Sequence, residues 1–402
     1  MSKLKSVFLV LFSLIFLISC DKDIQPTPCK TLKIAVLHSE SGELSYVGLT
    51  SHAAIEIAEQ EINADFANRD IPYRFEVTFF DTQALPELAL DGLQGFANNG
   101  YKLVIGPQTS AEVANVKHLA DSLGILLVSP ASTANTLAIS GDMIFRMVPG
   151  DPIEGAALAN NMVSTGKQAL ITFARNDIAN LGLQSSVMNS FIASGGIAVS
   201  AGTYGESETD FSAVLAEVKS QILNLSATYP ANQIAVQLSS FDETTAIFNL
   251  ASSDPILASV NWYGSDGFVN NQSLTQDPLA AQFAFNTHYF SPILGLTPLY
   301  ENIWGPLFDD VFQITGIESE AFTASAFNAL KIIAKLVEQQ NGIPNTGALL
   351  QQAFLNSANG YIGATGLVQL NENGDRVNGF FDFWGIEYIN GAYQWVIVGQ
   401  SE

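Results

Sequence analysis

The apolar positions of this chain fall into short unbroken runs, separated by small-residue loops and by stretches with helical spacing. Leu103-Val104-Ile105 and Ile125-Leu126-Leu127-Val128 are two such runs, as expected for parallel strands covered on both faces. Each stops at a loop of small and hydroxylic residues, Gly106-Pro107-Gln108-Thr109-Ser110 and Ser129-Pro130-Ala131-Ser132-Thr133, and residues 111–122 between them have the spacing of an amphipathic helix. Loops of this kind lie at the carboxyl ends of strands, where open α/β sheets bind ligands. Small residues there leave backbone amides and carbonyls accessible, and their hydroxyls add short-range hydrogen bonds.

The same alternation runs through most of the chain. Strands are predicted at 33–37, 74–80 and 143–148, then at 168–173, 197–200, 233–238 and 258–263. Helices are predicted at 51–63, 85–98, 181–193 and 243–251, with another that Asp210 caps and that runs to 223. Helices dominate from there to about residue 355, the strongest at 321–339. The tail reads as strands at 366–370, 380–388 and 393–398, with Asn373-Gly374 and Asn390-Gly391 as turns between them. Alternating strands and helices mean an α/β class with mainly parallel sheets. Two series, each too short for a barrel, predict two lobes with a cleft, and Pro149-Gly150-Asp151-Pro152 reads as a crossing between them.

The first 20 residues are of another kind. Lys3 and Lys5 precede an apolar run at 7–18 that is short for a membrane span, and it ends Leu17-Ile18-Ser19-Cys20. That ending resembles the bacterial lipobox, which implies a signal peptide over 1–20 and acylation of Cys20. Residues 21–30 are polar and proline-bearing, a tether, and Cys29 reads as an incidental thiol.

Composition narrows the function. Of 402 residues, 48% are apolar and 14% charged, so the chain builds packed cores. A net charge of −23 argues against nucleic acid or an anionic membrane surface as partner. The histidines His38, His52, His118 and His288 are isolated, and the cysteines have no metal-ligand spacing. No nucleotide-binding glycine motif and no nucleophile elbow occurs. An enzyme is therefore not expected, and neither is a cofactor. Most acidic side chains read as solvated faces.

In their order and spacing these segments resemble the type I periplasmic solute-binding proteins, in particular the branched-chain amino-acid group. The resemblance runs from about residue 33 to 398. It is carried by Ser41-Gly42, Val104-Ile105-Gly106-Pro107 with Ser110, Ser129-Pro130-Ala131-Ser132-Thr133, and Thr209-Asp210-Phe211-Ser212. Gly264-Ser265-Asp266-Gly267 and Gly363-Ala364-Thr365-Gly366, followed by Asn371-Glu372-Asn373-Gly374-Asp375, complete it. It implies two doubly wound parallel-sheet lobes, 31–148 with 273–357 and 149–272 with 358–402, joined by a three-strand hinge. The lobes would close on a small polar solute, an amino acid or similar, which an ABC permease then receives. The chain would sit in the cell envelope, held by lipid and facing the periplasm or the surface.

Residue by residue, the resemblance implies that Ser110 and Thr133 bind a ligand carboxylate and that the Ala131 carbonyl accepts from its ammonium. It makes Asp266 the acidic partner of that ammonium, with Phe241 and Tyr46 as aromatic walls. The loop after the second lobe's first strand, Arg175-Asn176-Asp177-Ile178-Ala179-Asn180-Leu181-Gly182, lacks the aromatic the family often places there. Tyr46 is one residue from the expected position of a pocket aromatic. The carboxylate clamp is thus better kept than the ammonium cage, and an amide, a carboxylate or a short peptide stays open as the solute. A ligand-sensing or scaffold lipoprotein of the same fold, without transport, is the alternative reading.

Overall fold

The computed structural model describes residues 29–401; the leader, Cys20 and most of the tether lie outside them. The first half of the chain lays down β1 (Lys30–His38), α1 (Ser45–Asn68), β2 (Tyr73–Asp81), α2 (Pro86–Asn98), β3 (Leu103–Ile105), α3 (Ser110–Leu123), β4 (Leu126–Ser129) and β5 (Ile144–Pro149). A second series follows: α4 (Asp151–Ser164), β6 (Ala169–Arg175), α5 (Ile178–Ala193), β7 (Ile197–Tyr204), α6 (Ser212–Leu225), β8 (Ile234–Ser239), α7 (Thr244–Ala251) and β9 (Asn261–Tyr263). Next come α8 (Gln272–Gln276), α9 (Pro278–Asn286), β10 (Phe290–Leu294), α10 (Glu301–Thr315), α11 (Ala321–Gln340) and α12 (Gly347–Ala358). The chain ends with β11 (Tyr361–Gly363), β12 (Gly366–Val368), β13 (Asp375–Arg376), β14 (Phe381–Ile389) and β15 (Ala392–Gln400).

Two sheets organise these elements. One has the order β13-β5-β4-β3-β1-β2 and the other β15-β14-β10-β9-β8-β6-β7, while β11 and β12 form a hairpin. β3 and β4 are buried at every position, which is why they read as unbroken apolar runs. Helices cover both faces of each sheet. In the first lobe α1, α11 and α12 cover one face through Ile55, Ile62, Leu330, Ile333 and Phe354. α2 and α3 cover the other through Leu93, Phe96, Val113 and Val116. In the second lobe Trp262 is fully buried among Phe173, Phe248 and Phe283. The fold is therefore the expected pair of α/β lobes.

The crossings differ from expectation in position. α8, α9 and β10 belong to the second lobe: Leu274, Ala280, Phe283 and Tyr289 sit in its core, and β10 pairs with β9 and β14. The chain therefore returns to the first lobe after Leu294, not at 273. It leaves again after Arg376, because β13 pairs with β5 in the first sheet. The boundary expected at 358 is displaced accordingly. Two features conceal the first shift. Pro292 interrupts the β10 run and supplies no ladder donor, and the stretch shows no alternation. Asp151 and Pro152, read as the end of the crossing Pro149-Gly150-Asp151-Pro152, already form the first turn of α4, since a proline in a first turn suits a helix.

The three crossings lie together. Gly295 N–H donates to Phe380 O at 2.6 Å, and Leu296 N–H donates to Asp382 Oδ2 at 3.2 Å. A β-carbon on Gly379 would sit 2.6 Å from Leu294 Cδ1 and 3.4 Å from Pro149 Cγ, so a bare backbone is needed where the crossings meet. An apolar cluster of Val47, Val148, Val269, Ile293, Leu294, Ala321 and Phe322 joins the lobes beside them.

Gly106, which ends β3, has φ +95°, and a β-carbon there would lie 2.1 Å from Leu37 O. Gly106→Ala should therefore cost about 2–4 kcal/mol of stability, read as a lower midpoint of urea unfolding. An unchanged midpoint would show that β1 and β3 can separate at no cost.

Candidate functional site

The carboxyl ends of the strands from both sheets converge on one small cavity. Leu44 and Val47 follow β1, Gln108 and Ser110 follow β3, and Ala131 and Thr133 follow β4. From the second lobe come Ala179 after β6, Phe241 after β8, and Asp266 and Gly267 after β9, while Phe322 reaches in from α11. The enclosed space is about 30 Å³, room for roughly one water. An amino-acid-sized solute is admitted only when the lobes move apart.

Five of the expected residues, Ser110, Ala131, Thr133, Phe241 and Asp266, line this cavity. Tyr46 does not line it; its hydroxyl instead donates across the cleft to Gly267 O at 3.3 Å. Cys20 lies outside the described residues.

Ser110 is placed as expected but bonded differently. Its Oγ accepts from Thr133 N–H at 3.3 Å and from Ala134 N–H at 3.2 Å, and it shares a 2.9 Å hydrogen bond with Ser132 Oγ. The hydroxyl thus ties the loop after β4 to the start of α3. The helix start is also occupied. Thr109 and Glu112 form a capping box in which Thr109 N–H and Oγ1 donate to Glu112 Oε2 at 3.0 and 2.7 Å. A fully buried acid therefore stands at the α3 N-terminus, where a helix dipole would otherwise favour an anionic ligand.

The opposite side is acidic. Asp266 N–H donates to Glu154 Oε1 at 3.3 Å. Burial and the charges of Asp266 and Asp151 push the Glu154 carboxyl well up, and burial with the Asp151 charge does the same to Asp266. Burial pushes Asp151 up to about 7 against the Thr133 hydroxyl, the Asn135 amide and the charge of Arg146. Glu320 caps α11, accepting from Phe322 N–H at 2.5 Å, and burial raises it to about 7. Asp151 and Glu154 stand three residues apart on the first turn of α4, one helical face. That i, i+3 spacing was the available signal. Taking scattered acids as solvated faces hid it.

The aromatic missing after β6 is replaced by a cation. Arg175 contacts Glu43 of the first lobe, lies 3.1 Å from Asp177 and 3.7 Å from Glu243 of the second, and sits 5.1 Å above the Phe241 ring. Below it, Leu44 N–H donates to Asp242 Oδ2 at 3.3 Å, across the same cleft. Phe241 is thus both a cavity wall and the platform for an interlobe ion pair.

Residues 50–388 match the family described as the receptor family ligand binding region, and the chain belongs to that family. Its fold is that of the type I periplasmic binding proteins. A periplasmic binding protein of type 1 from Bordetella pertussis superposes with a TM-score of 0.75 at 15% identity, covering 92% of this chain and 100% of the other. The branched-chain amino acid transporter substrate binding protein LivJ of Streptococcus pneumoniae, complexed with isoleucine, gives 0.72 at 20% identity, covering 91% and 99%. In sequence, an uncharacterized protein of Methanocaldococcus jannaschii is 24% identical over 94% of this chain and 93% of its own. The Leu/Ile/Val-binding protein of Citrobacter freundii is 25% identical over 48% of this chain and 52% of its own. The matched family is by its description a ligand-binding one, and the Citrobacter freundii relative and both solved structures above are themselves binding proteins.

The acid cluster makes stability pH-dependent with a definite sign. Asp151 and Glu320 keep their protons to about pH 7 in the folded protein, whereas in the unfolded chain such groups ionise near pH 4. The stabilisation is thus complete below the unfolded value and is lost as pH rises through the folded one. His38, which burial lowers to about 3, acts in the opposite sense only below its unfolded value, which is about 6.5. Between about pH 5 and 7 the melting temperature of the unliganded protein should therefore fall, since Asp151, Glu320 and Asp266 outnumber His38, and level off above it, and Asp266→Asn should lessen the slope. A temperature that holds or rises over that window contradicts the assignment.

Proposed function

We propose that this chain captures a small amine-bearing solute, an amino acid or a close analogue, between its two lobes and hands it to an ABC permease. The observation that supports this best is the opposition of Ala131 and Thr133 from one lobe to Asp266 from the other across one closed cavity. An ammonium group between them would find the Ala131 carbonyl on one side and the Asp266 carboxylate on the other, both acceptors. Arg175 with Glu43, Tyr46 with Gly267 and Leu44 with Asp242 are contacts that exist only when the lobes are together. They give the closed form a surface and an energy of its own, which is what a permease needs to tell loaded protein from empty. Signal-peptide cleavage and acylation at Cys20 would hold the protein at the membrane, with the polar residues after it as the tether.

The Ser110 tie belongs to this reading as a positioning element, since it holds the Ala131 and Thr133 backbone against the cavity. Melting curves with amino acids, amides, small amines and organic acids test it. A bound solute at about 100 times its dissociation constant adds about 2.7 kcal/mol, several degrees of melting temperature. Ser110→Ala should weaken that solute's binding by about tenfold, the worth of about 1.4 kcal/mol. A panel that leaves the melting temperature unmoved in every class contradicts the proposal.

A further inference from the structure

Three groups beside the cavity have unmet acceptor capacity or negative charge, and the arginines nearest them are engaged elsewhere. Glu154 Oε2 and Asp151 Oδ1 receive no N–H donor, their polar neighbours being the Asp266 carboxyl and the Thr133 hydroxyl, and both residues are fully inaccessible. Glu154 stands directly behind Asp266, its Oε1 taken by the Asp266 amide at 3.3 Å, and Asp266 opens onto the cavity. Glu320 adds a fourth carboxyl within electrostatic range of Asp266.

The neighbouring cations are already engaged. Arg146 donates to Asp375 Oδ1 and to Ala134 O, each at 2.6 Å, and reaches Asp151 only through its field. Arg175 is shared among Glu43, Asp177 and Glu243. Arg376 donates to Thr365 O at 2.8 Å, Leu367 O at 3.1 Å and Met147 O at 3.2 Å.

The side expected to hold a carboxylate is poorly furnished for one. The Ser110 hydroxyl and the Thr133 amide are bonded to each other, and the α3 N-terminus carries the buried Glu112. Gln108 Nε2 is a buried donor without a partner on the cavity wall, enough for one acceptor atom.

We infer that the cleft prefers a solute of net positive charge, an alkylammonium such as a basic amino acid or a diamine, over neutral apolar amino acids and over aromatic acids. The inference rests on the solute-binding reading above and assigns the charge of its solute. A neutral amino acid supplies one cation and brings an anion that must face Glu112. A net cation supplies three donors per ammonium group to the Asp266 carboxyl that opens onto the cavity, and its charge offsets that of the acids behind it. The overall charge of −23 also draws cations to the cleft.

Titration calorimetry of the purified protein near neutral pH, at low salt, with lysine, 1,4-diaminobutane, leucine and 4-hydroxybenzoate tests this. Lysine or the diamine should bind at least about tenfold more tightly than leucine, and 4-hydroxybenzoate should not bind. Glu154→Gln and, separately, Asp151→Asn should each reduce the lysine-to-leucine affinity ratio by about tenfold, in protein whose circular dichroism is unchanged. The ratio measured in the unaltered protein does not depend on either variant folding. Leucine or 4-hydroxybenzoate binding as tightly as both cations overturns the inference and leaves the solute-binding reading standing. An unchanged ratio in both folded variants overturns it as well. No binding of any of the four overturns the inference alone, and the wider panel of melting curves then decides the solute-binding reading.

Discussion

A buried acid oxygen with no N–H donor is costly, and Glu154 and Asp151 each carry one where the two lobes meet. The local structure around them serves to hold them there. α4 begins immediately after the first crossing, so its first turn places both acids on one face at the hinge. The loop after β9 sets the Asp266 amide on Glu154, which fixes that carboxyl behind Asp266, the acid that lines the cavity. A protein interior tolerates such a cluster when it is protonated or when a cation joins it. The closed cleft therefore has a built-in need that a solute ammonium meets.

The rest of the fold sets how that need is expressed. Three crossings packed at Gly379, Leu294 and Pro149 restrict the lobes to motion about one junction. The cores of the two lobes are separate, so opening the cleft leaves them intact. The contacts between the lobes away from the crossings are few and include the Arg175–Glu43 pair, the Tyr46 and Leu44 hydrogen bonds, Ile178 against the first lobe and the apolar cluster around Val47 and Phe322. Contacts of that size can be exchanged for contacts to a solute without unfolding either lobe.

The architecture was legible in the sequence because apolar runs and turn residues report burial directly. β3 and β4 with their loops were placed to within a residue, and five of the six cavity residues expected from the resemblance line it together. What was not legible was long-range pairing. β10 carries Pro292 and no alternation, so its place between β9 and β14 depends on partners that lie far along the chain. Asp151 and Glu154 look like any solvated helix start until the two lobes meet over them. Ser110 shows the same limit: its position was readable, but its hydroxyl is bonded to amides 23 and 24 residues away. A side chain's partners are settled by the packing of loops, which local pattern does not encode.

A cationic group of the solute would displace protons from the acids of the cleft and pair with the carboxylate left behind. The most direct test is the calorimetric heat of lysine binding near pH 7 in buffers of different ionisation enthalpy. Binding should release protons from the acid cluster, so the heat should vary with the buffer, with a slope of up to about one proton per solute, and Glu154→Gln should reduce that slope. A heat independent of the buffer, with lysine bound, would contradict the account.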